Sequence, residues 1–178
     1  MQISSDSNLG GFPGVLSLDG GTLHTTAGIA SGRFVTLNAG GGTFDIDGAT
    51  NLALGGTIAG VGALTKQGDG TLILAGTNTY QGGTFIKGGT VLITADANLG
   101  SAAGKVTFDG GTLHVSSLSN VTSGRNATLE AGGGTFEIDN TLAWNGTIDG
   151  AGGLTKTGTG ALFLGADNTY TGGTTIAG

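Results

Sequence analysis

The chain has 178 residues, of which 40 are Gly and 28 Thr, with one Pro, no Cys and a net charge of −6. Gly at roughly three times ordinary usage without a G-X-Y period excludes collagen, and its cost of about 1 kcal/mol per helical position excludes a helical protein. A 37% hydrophobic share with sparse charge argues against disorder, and six bases standing singly (Arg33, Lys66, Lys87, Lys105, Arg125, Lys156) exclude a nucleic-acid partner.

Met1 to Asp6 has neither a basic nor an apolar region, so no signal peptide is expected there. The elements that follow open on Gly-Gly-Thr or Gly-x-Gly-Thr and then alternate. They begin at Thr22-Leu23-His24 and continue at Thr43 to Asp47, where period 2 puts Phe44 and Ile46 on one face and Thr43, Asp45 and Asp47 on the other. Thr57-Ile58, Thr71 to Leu74, Thr84 to Ile86 and Thr90 to Ile93 repeat the pattern. Leu72 to Ala75 typifies the longest apolar runs, far short of the roughly 20 residues of a spanning helix. These are short, half-buried strands with Gly at the corners, and no helix is expected.

The chain is a duplication. Leu18 to His24 recurs as Phe108 to His114, 90 positions on, and Arg33 to Asp47 recurs as Arg125 to Asp139, 92 positions on. Leu64 to Gly88 and Leu154 to Gly178 share 15 identities in 25 positions. Units 1–90 and 91–178 are therefore expected to form one continuous solenoid domain, and the chain reads as a piece of a longer array. Strands separated by Gly corners, without hairpin turns, suit a coil that keeps turning the same way, each coil stacking on the last at about 4.8 Å. Four coils per unit give about eight coils in all, nearly 40 Å long. The cut ends leave unpaired coil edges, which should tend to stack end to end.

Several residues invite a chemical reading. His24 and His114 are expected four coils apart, roughly 20 Å, too far to share a metal, and so have a structural or surface role. Asp45/Asp47 and Glu137/Asp139 have the spacing of a carboxylate pair for polysaccharide hydrolysis, but their duplication favours a solvated face. Asn78 and Asn168, with Thr79 and Thr169, are expected to satisfy backbone groups at a corner, with Tyr80 and Tyr170 packed over it. Gly68-Asp69-Gly70 lacks the period of calcium-binding solenoids, and Thr159 replaces Asp69 in the second copy. No catalytic, cofactor or metal residue is assigned.

The order Leu64-Thr65-Lys66, Gly68-x-Gly70, Asn78-Thr79-Tyr80, Gly82-Gly83-Thr84 returns as Leu154-Thr155-Lys156, Gly158-x-Gly160, Asn168-Thr169-Tyr170, Gly172-Gly173-Thr174. This signature resembles the autotransporter-associated β-strand repeat of Gram-negative type V passengers. The second copy departs from it at Ala161, where the pattern has Thr. The resemblance implies an all-β, right-handed parallel β-helix (β-solenoid) at the cell surface or secreted, with adjacent passenger coils and a C-terminal translocator barrel as partners. It implies a non-enzymatic stalk that aids secretion and needs no cofactor. The alternatives are an adhesin-type module, with Tyr80 and Tyr170 contacting a host glycan or matrix protein, and a polysaccharide-degrading β-helix.

Overall fold

A computed structural model describes all of residues 1–178. The chain starts with β1 (Gln2–Ile3), the 3-10 helix η1 (Asp6–Leu9) and β2 (Leu16–Leu18). Two three-stranded coils follow: β3 (Gly21–Thr25), β4 (Ile29–Ser31) and β5 (Val35–Leu37), then β6 (Gly42–Ile46), β7 (Asn51–Leu54) and β8 (Ile58–Ala59). Next come β9 (Leu64–Gln67) and β10 (Thr71–Leu74), a strandless stretch, β11 (Thr84–Ile86) and β12 (Thr90–Ile93), then the 3-10 helix η2 (Asp96–Leu99). The second half holds β13 (Val106–Phe108), β14 (Thr112–Val115), β15 (Asn120–Ser123), β16 (Ala127–Leu129), β17 (Gly134–Ile138) and β18 (Thr141–Trp144). It closes with β19 (Ile148–Gly150), β20 (Leu154–Thr157), β21 (Ala161–Leu164) and β22 (Thr174–Ile176).

Strands pair in parallel with those one coil earlier and one coil later, which makes the fold an all-β solenoid of about eight turns. The first face is the eight-stranded sheet β1-β3-β6-β9-β11-β13-β16-β19 and the second is the eight-stranded sheet β4-β7-β10-β12-β14-β17-β20-β22. The third face is β2-β5-β8 and β15-β18-β21, joined through two stretches without strands. There Thr79 N donates to Ile58 O at 2.8 Å, Asn78 N to Ala97 O at 2.9 Å and Ser101 N to Tyr80 O at 2.9 Å, so the ladder runs on through Asn78-Thr79-Tyr80 and η2.

Inward residues stack in register. Leu52, Leu72, Val91, Leu113 and Phe136 form one such ladder on the second face, each at most 1% exposed. They belong to a single cluster of 32 buried hydrophobic residues that runs from Ile3 to Leu154. Burying each such side chain contributes about 1.5 to 3 kcal/mol, so stability is spread along the axis. The period-2 pattern of β6 holds: Phe44 and Ile46 are fully buried, with Asp45 between them on the outside. The corner after β9 needs Gly68, at φ +71, because a Cβ there would lie 2.3 Å from Ile46 O; Gly158, at φ +76, repeats the fit 2.4 Å from Ile138 O.

One sequence expectation is corrected. Helix is present as η1 and η2. In each, an Asn side chain (Asn8, Asn98) accepts from two backbone N–H groups at the N-terminus, Ser4 and Ser5 in one and Thr94 and Ala95 in the other. Such capping stabilises a single tight turn, and four residues escape the Gly content that excludes longer helices.

The repeat and the coil are out of phase. Leu64, Thr84, Val106, Ala127 and Ile148 stack in register, so four coils use 84 residues and the 90-residue copy overshoots by one side. Counting helices and Asn-Thr-Tyr stretches as sides, each copy has thirteen sides of a three-sided coil. The second copy is therefore turned by one face: β9 lies on the first face and its equivalent β20 on the second.

Candidate functional site: the coil-joining corner

The repeat signature builds a corner whose polar groups point inward. Leu64 and Lys66 alternate along β9 and are both fully buried. The Lys66 ammonium sits at the coil's edge, where Nζ donates to Gln67 O at 2.6 Å, Gly68 O at 2.7 Å and Gly88 O on the next coil at 3.3 Å. Burial pulls its pKa from 10.5 down to about 8, against the opposing pull of Asp45 and Asp69. Lys156 repeats the contact with Gly158 O. Thr65 and Thr155 lie half-buried on the outer side of their strands.

Asn78 is the bridge between three successive coils. Its Oδ1 accepts from Ile58 N of the coil before at 2.8 Å, and its Nδ2 donates to Asn98 O of the coil after at 2.6 Å. Asn98 returns the bond, Nδ2 to Gly76 O, at 2.9 Å. Asn168 repeats the first half only, accepting from Ile148 N at 2.8 Å. Thr79 and Thr169 contribute through their backbones, Thr169 N donating to Ile148 O at 2.9 Å.

Tyr80 does not pack over the corner from outside. It is fully buried, its OH 2.6 Å from Thr84 Oγ1, and burial pushes its pKa up to about 12. Tyr170 and Thr174 repeat that bond at 2.6 Å with more solvent around them. Gly82 and Gly172 cross the preceding coil so closely that a Cβ would lie 2.4 Å from Ala63 N and 2.3 Å from Gly152 C, while Gly83 and Gly173 both take φ +81. Gly70 and Gly160 meet Asp47 O at 2.3 Å and Asn140 O at 2.1 Å in the same sense.

The bases singled out only for being scattered include two of the most connected side chains. Arg125, 2% exposed, grips the η2 turn: Nε donates to Asp96 Oδ1 at 2.8 Å, Nη1 to Leu99 O and Gly104 O at 3.1 Å, and Nη2 to Gly100 O at 2.7 Å. Arg33 does the same for η1 through Asp6, Gly10, Gly11 and Gly14, and its guanidinium holds the Asp6 carboxyl below the ordinary range. The sequence carried a signal for this clamp, since Asp6/Arg33 recurs as Asp96/Arg125 in a chain otherwise poor in charge.

On the outer surface, His24 Nε2 lies 2.7 Å from Asp47 Oδ1, and His114 Nε2 lies 2.9 Å from Asp139 Oδ2 with Glu137 3.9 Å from Nδ1. The acids of each pair share a strand edge with a His rather than lining a cleft, and the two sets occupy different faces. No three such side chains come together in a way that could hold a metal ion. A groove of about 330 Å³ crosses the first face, lined by Phe85, Lys87, Thr107, Asp109, Glu130 and Ala131.

No curated protein and no solved structure matches the chain. The family model of the passenger-associated-transport-repeat matches residues 64–93 and 154–178, the two stretches that form these corners. That repeat places proteins that carry it at the surface of, or secreted from, Gram-negative bacteria. The two corner segments are thus matched as passenger-associated-transport-repeats, and the β-solenoid built around them fits a segment of an autotransporter passenger.

Proposed function

We propose that the chain is a non-enzymatic structural segment, units 1–90 and 91–178 forming one continuous rigid stalk that also helps draw the passenger out of the cell as it folds. The observation that carries this reading is the use to which the signature is put. Asn78 spends its side-chain amide on the coils before and after it, Lys66 reaches Gly88 of the next coil as well as its own turn, and Tyr80 bonds Thr84 within its own coil, so these polar groups are taken up inside the solenoid. Each new coil completes the hydrogen bonds of the one before it, so folding propagates along the axis and opposes backsliding. The adjacent partners on this reading are further passenger coils and the translocator barrel.

The test is export of the chain fused to a translocator barrel, with Leu72→Ala, Asn78→Ala and Tyr80→Phe compared with the parent sequence. Surface display falling in step with measured stability supports the role; unchanged display in variants that have lost several kcal/mol opposes it.

The groove over Phe85 favours a second reading, a binding module for a host glycan, because an aromatic side chain beside Lys87, Asp109 and Glu130 offers a stacking surface with polar partners. Loss of glycan-array binding in Phe85→Ala would support it, and an array blank for the parent chain would oppose it. Of the sites suggested for this role by sequence, Tyr80 has its ring enclosed and does not serve it, whereas Tyr170 is only partly buried.

A further inference from the structure

The duplication separates charges that build the coil from charges that do not. Among the 6 bases and 12 acids, most keep their sign at the equivalent position of the other copy, as Asp6 and Asp96, Arg33 and Arg125, and Lys66 and Lys156 do. The exceptions are Asp69, Lys87, Lys105, Glu130, Asp149 and Asp167. Of these, Lys87, Lys105, Glu130 and Asp149 lie on or beside β11, β13, β16 and β19, successive strands of the first face in the interior of the chain. The coil does not need them, since the other copy builds the same strands with Ala177, Val15, Asn38 and Ala59.

These four charges line two grooves. Phe85, Thr107, Thr128 and Asp149 are in register as one outward row, a run of three strand spacings or about 14 Å. The groove of about 330 Å³ over Phe85 and Thr107 takes in Lys87 and Glu130. A second, of about 440 Å³, takes in Lys105, Asn126, Thr128 and Asp149. We infer, on the glycan reading of the Phe85 groove, that the two grooves together bind one neutral oligosaccharide, with Phe85 stacked on a sugar ring and the second groove holding the sugars beyond it.

Thr107 is the observation that points to a ligand. It is 6% exposed, yet its Oγ1 has no hydrogen-bond partner within the chain. Its strand neighbours Val106 and Phe108 belong to the core, so Thr107 stands on the outer side of β13, among the side chains of the groove. A buried hydroxyl without a partner destabilises the fold, and Val, of the same shape and equally suited to a strand, would avoid that cost. A sugar hydroxyl seated in the groove supplies the missing partner.

The charges decide against an ionic ligand. The five ion pairs of the chain draw their cations from His24, Arg33, His114 and Arg125, which leaves Lys87, Lys105, Glu130 and Asp149 unpaired. Lys105 Nζ reaches only Thr128 Oγ1, at 3.4 Å. A polyanion would meet Asp109, Glu130 and Asp149, and a polycation would meet Lys87 and Lys105. A sugar hydroxyl donates to a carboxylate and accepts from an ammonium, so a neutral chain of sugars satisfies both signs at once. The parallel ladder behind both grooves is already ordered, so binding fixes little backbone.

An array of neutral, sialylated and sulfated oligosaccharides, followed by titration calorimetry with the best member, tests this on the 178-residue chain. Neutral members are expected to bind best, with a Kd that changes less than about twofold between about 50 and about 500 mM NaCl. Thr107→Val should weaken binding about threefold to tenfold while leaving the urea midpoint equal or higher, a combination that a merely structural hydroxyl would not give. Lys105→Ala and Asp149→Ala, in the second groove, should weaken binding by a similar factor. Ser17→Val and Asn38→Ala, at equivalent positions of the other copy, should leave it unchanged, and circular dichroism reports that each variant is folded. Preference for sialylated or sulfated members, with affinity falling as salt rises, would overturn the inference and leave the glycan reading standing. So would binding that is lost in Phe85→Ala but unchanged in Thr107→Val, Lys105→Ala and Asp149→Ala. An array blank for the parent chain overturns both.

Discussion

His24 and His114 are equivalent residues of the duplication, each bonded through Nε2 to an equivalent carboxylate, Asp47 at 2.7 Å and Asp139 at 2.9 Å, yet they stand on different faces of the solenoid. The thirteen-sided copy is the reason. A feature that occurs once per copy cannot form a stripe along one face; it steps around the axis, as these two clusters do.

Exposed pairs of this kind contribute little. His24→Gln and His114→Gln should each change unfolding free energy by less than about 1 kcal/mol at pH 7, followed by urea titration with Trp144 fluorescence. A loss of several kcal/mol from either would mean that the outer ladder, rather than the core, holds the coils together.

The Lys66 site should show itself in the pH dependence of stability. Its pKa falls from 10.5 in the unfolded chain to about 8 in the folded one, so between those values the unfolded chain binds more protons and stability rises with pH. Urea midpoints at pH 7.5 and pH 10 should show a gain on the order of 2 kcal/mol for the parent that Lys66→Met lacks. Above pH 10 the sign reverses. Tyr80, raised to about 12, contributes stability that is present below pH 10 and lost as pH climbs through 12, and Tyr80→Phe should remove that loss. Parallel pH profiles for parent and Lys66→Met would contradict the burial of the ammonium.

Arg125→Met leaves Asp96 without its partner and several carbonyls of the η2 turn without a donor, so it should cost about 3 to 5 kcal/mol. Arg125→Lys should recover only part of this, because an ammonium cannot reach carbonyls on both sides as the fork does. Calorimetry on the two variants decides it, and a cost below 1 kcal/mol for Arg125→Met would show that the clamp is incidental.

Much of this is legible in the amino-acid sequence alone. The alternation at Phe44, Asp45 and Ile46 told inside from outside because strand periodicity is local. The repeat signature located the corners for the same reason: Gly, Asn and Thr act within a few residues of one another. Arg33 and Asp6 are 27 positions apart, and their pairing follows only once a coil has turned through a full circuit. The burial of Lys66 was not legible, because nothing nearby in sequence reveals three carbonyls from two coils converging on its ammonium. The one-face rotation was hidden for a related reason. It depends on the summed lengths of four coils, where an error of one or two residues per coil decides whether a copy ends on the face where it began.

The measurement closest to the central claim compares Asn78→Ala with Asn168→Ala in equilibrium urea unfolding. The two residues hold the same place in the repeat, but Asn78 joins the coil before it to the coil after it, whereas Asn168 bonds backward alone. If the signature works by tying each coil to the next, Asn78→Ala should cost about 2 to 4 kcal/mol and Asn168→Ala about 1 kcal/mol or less at concentrations where the chain is monomeric. Equal costs at the two positions would contradict the account.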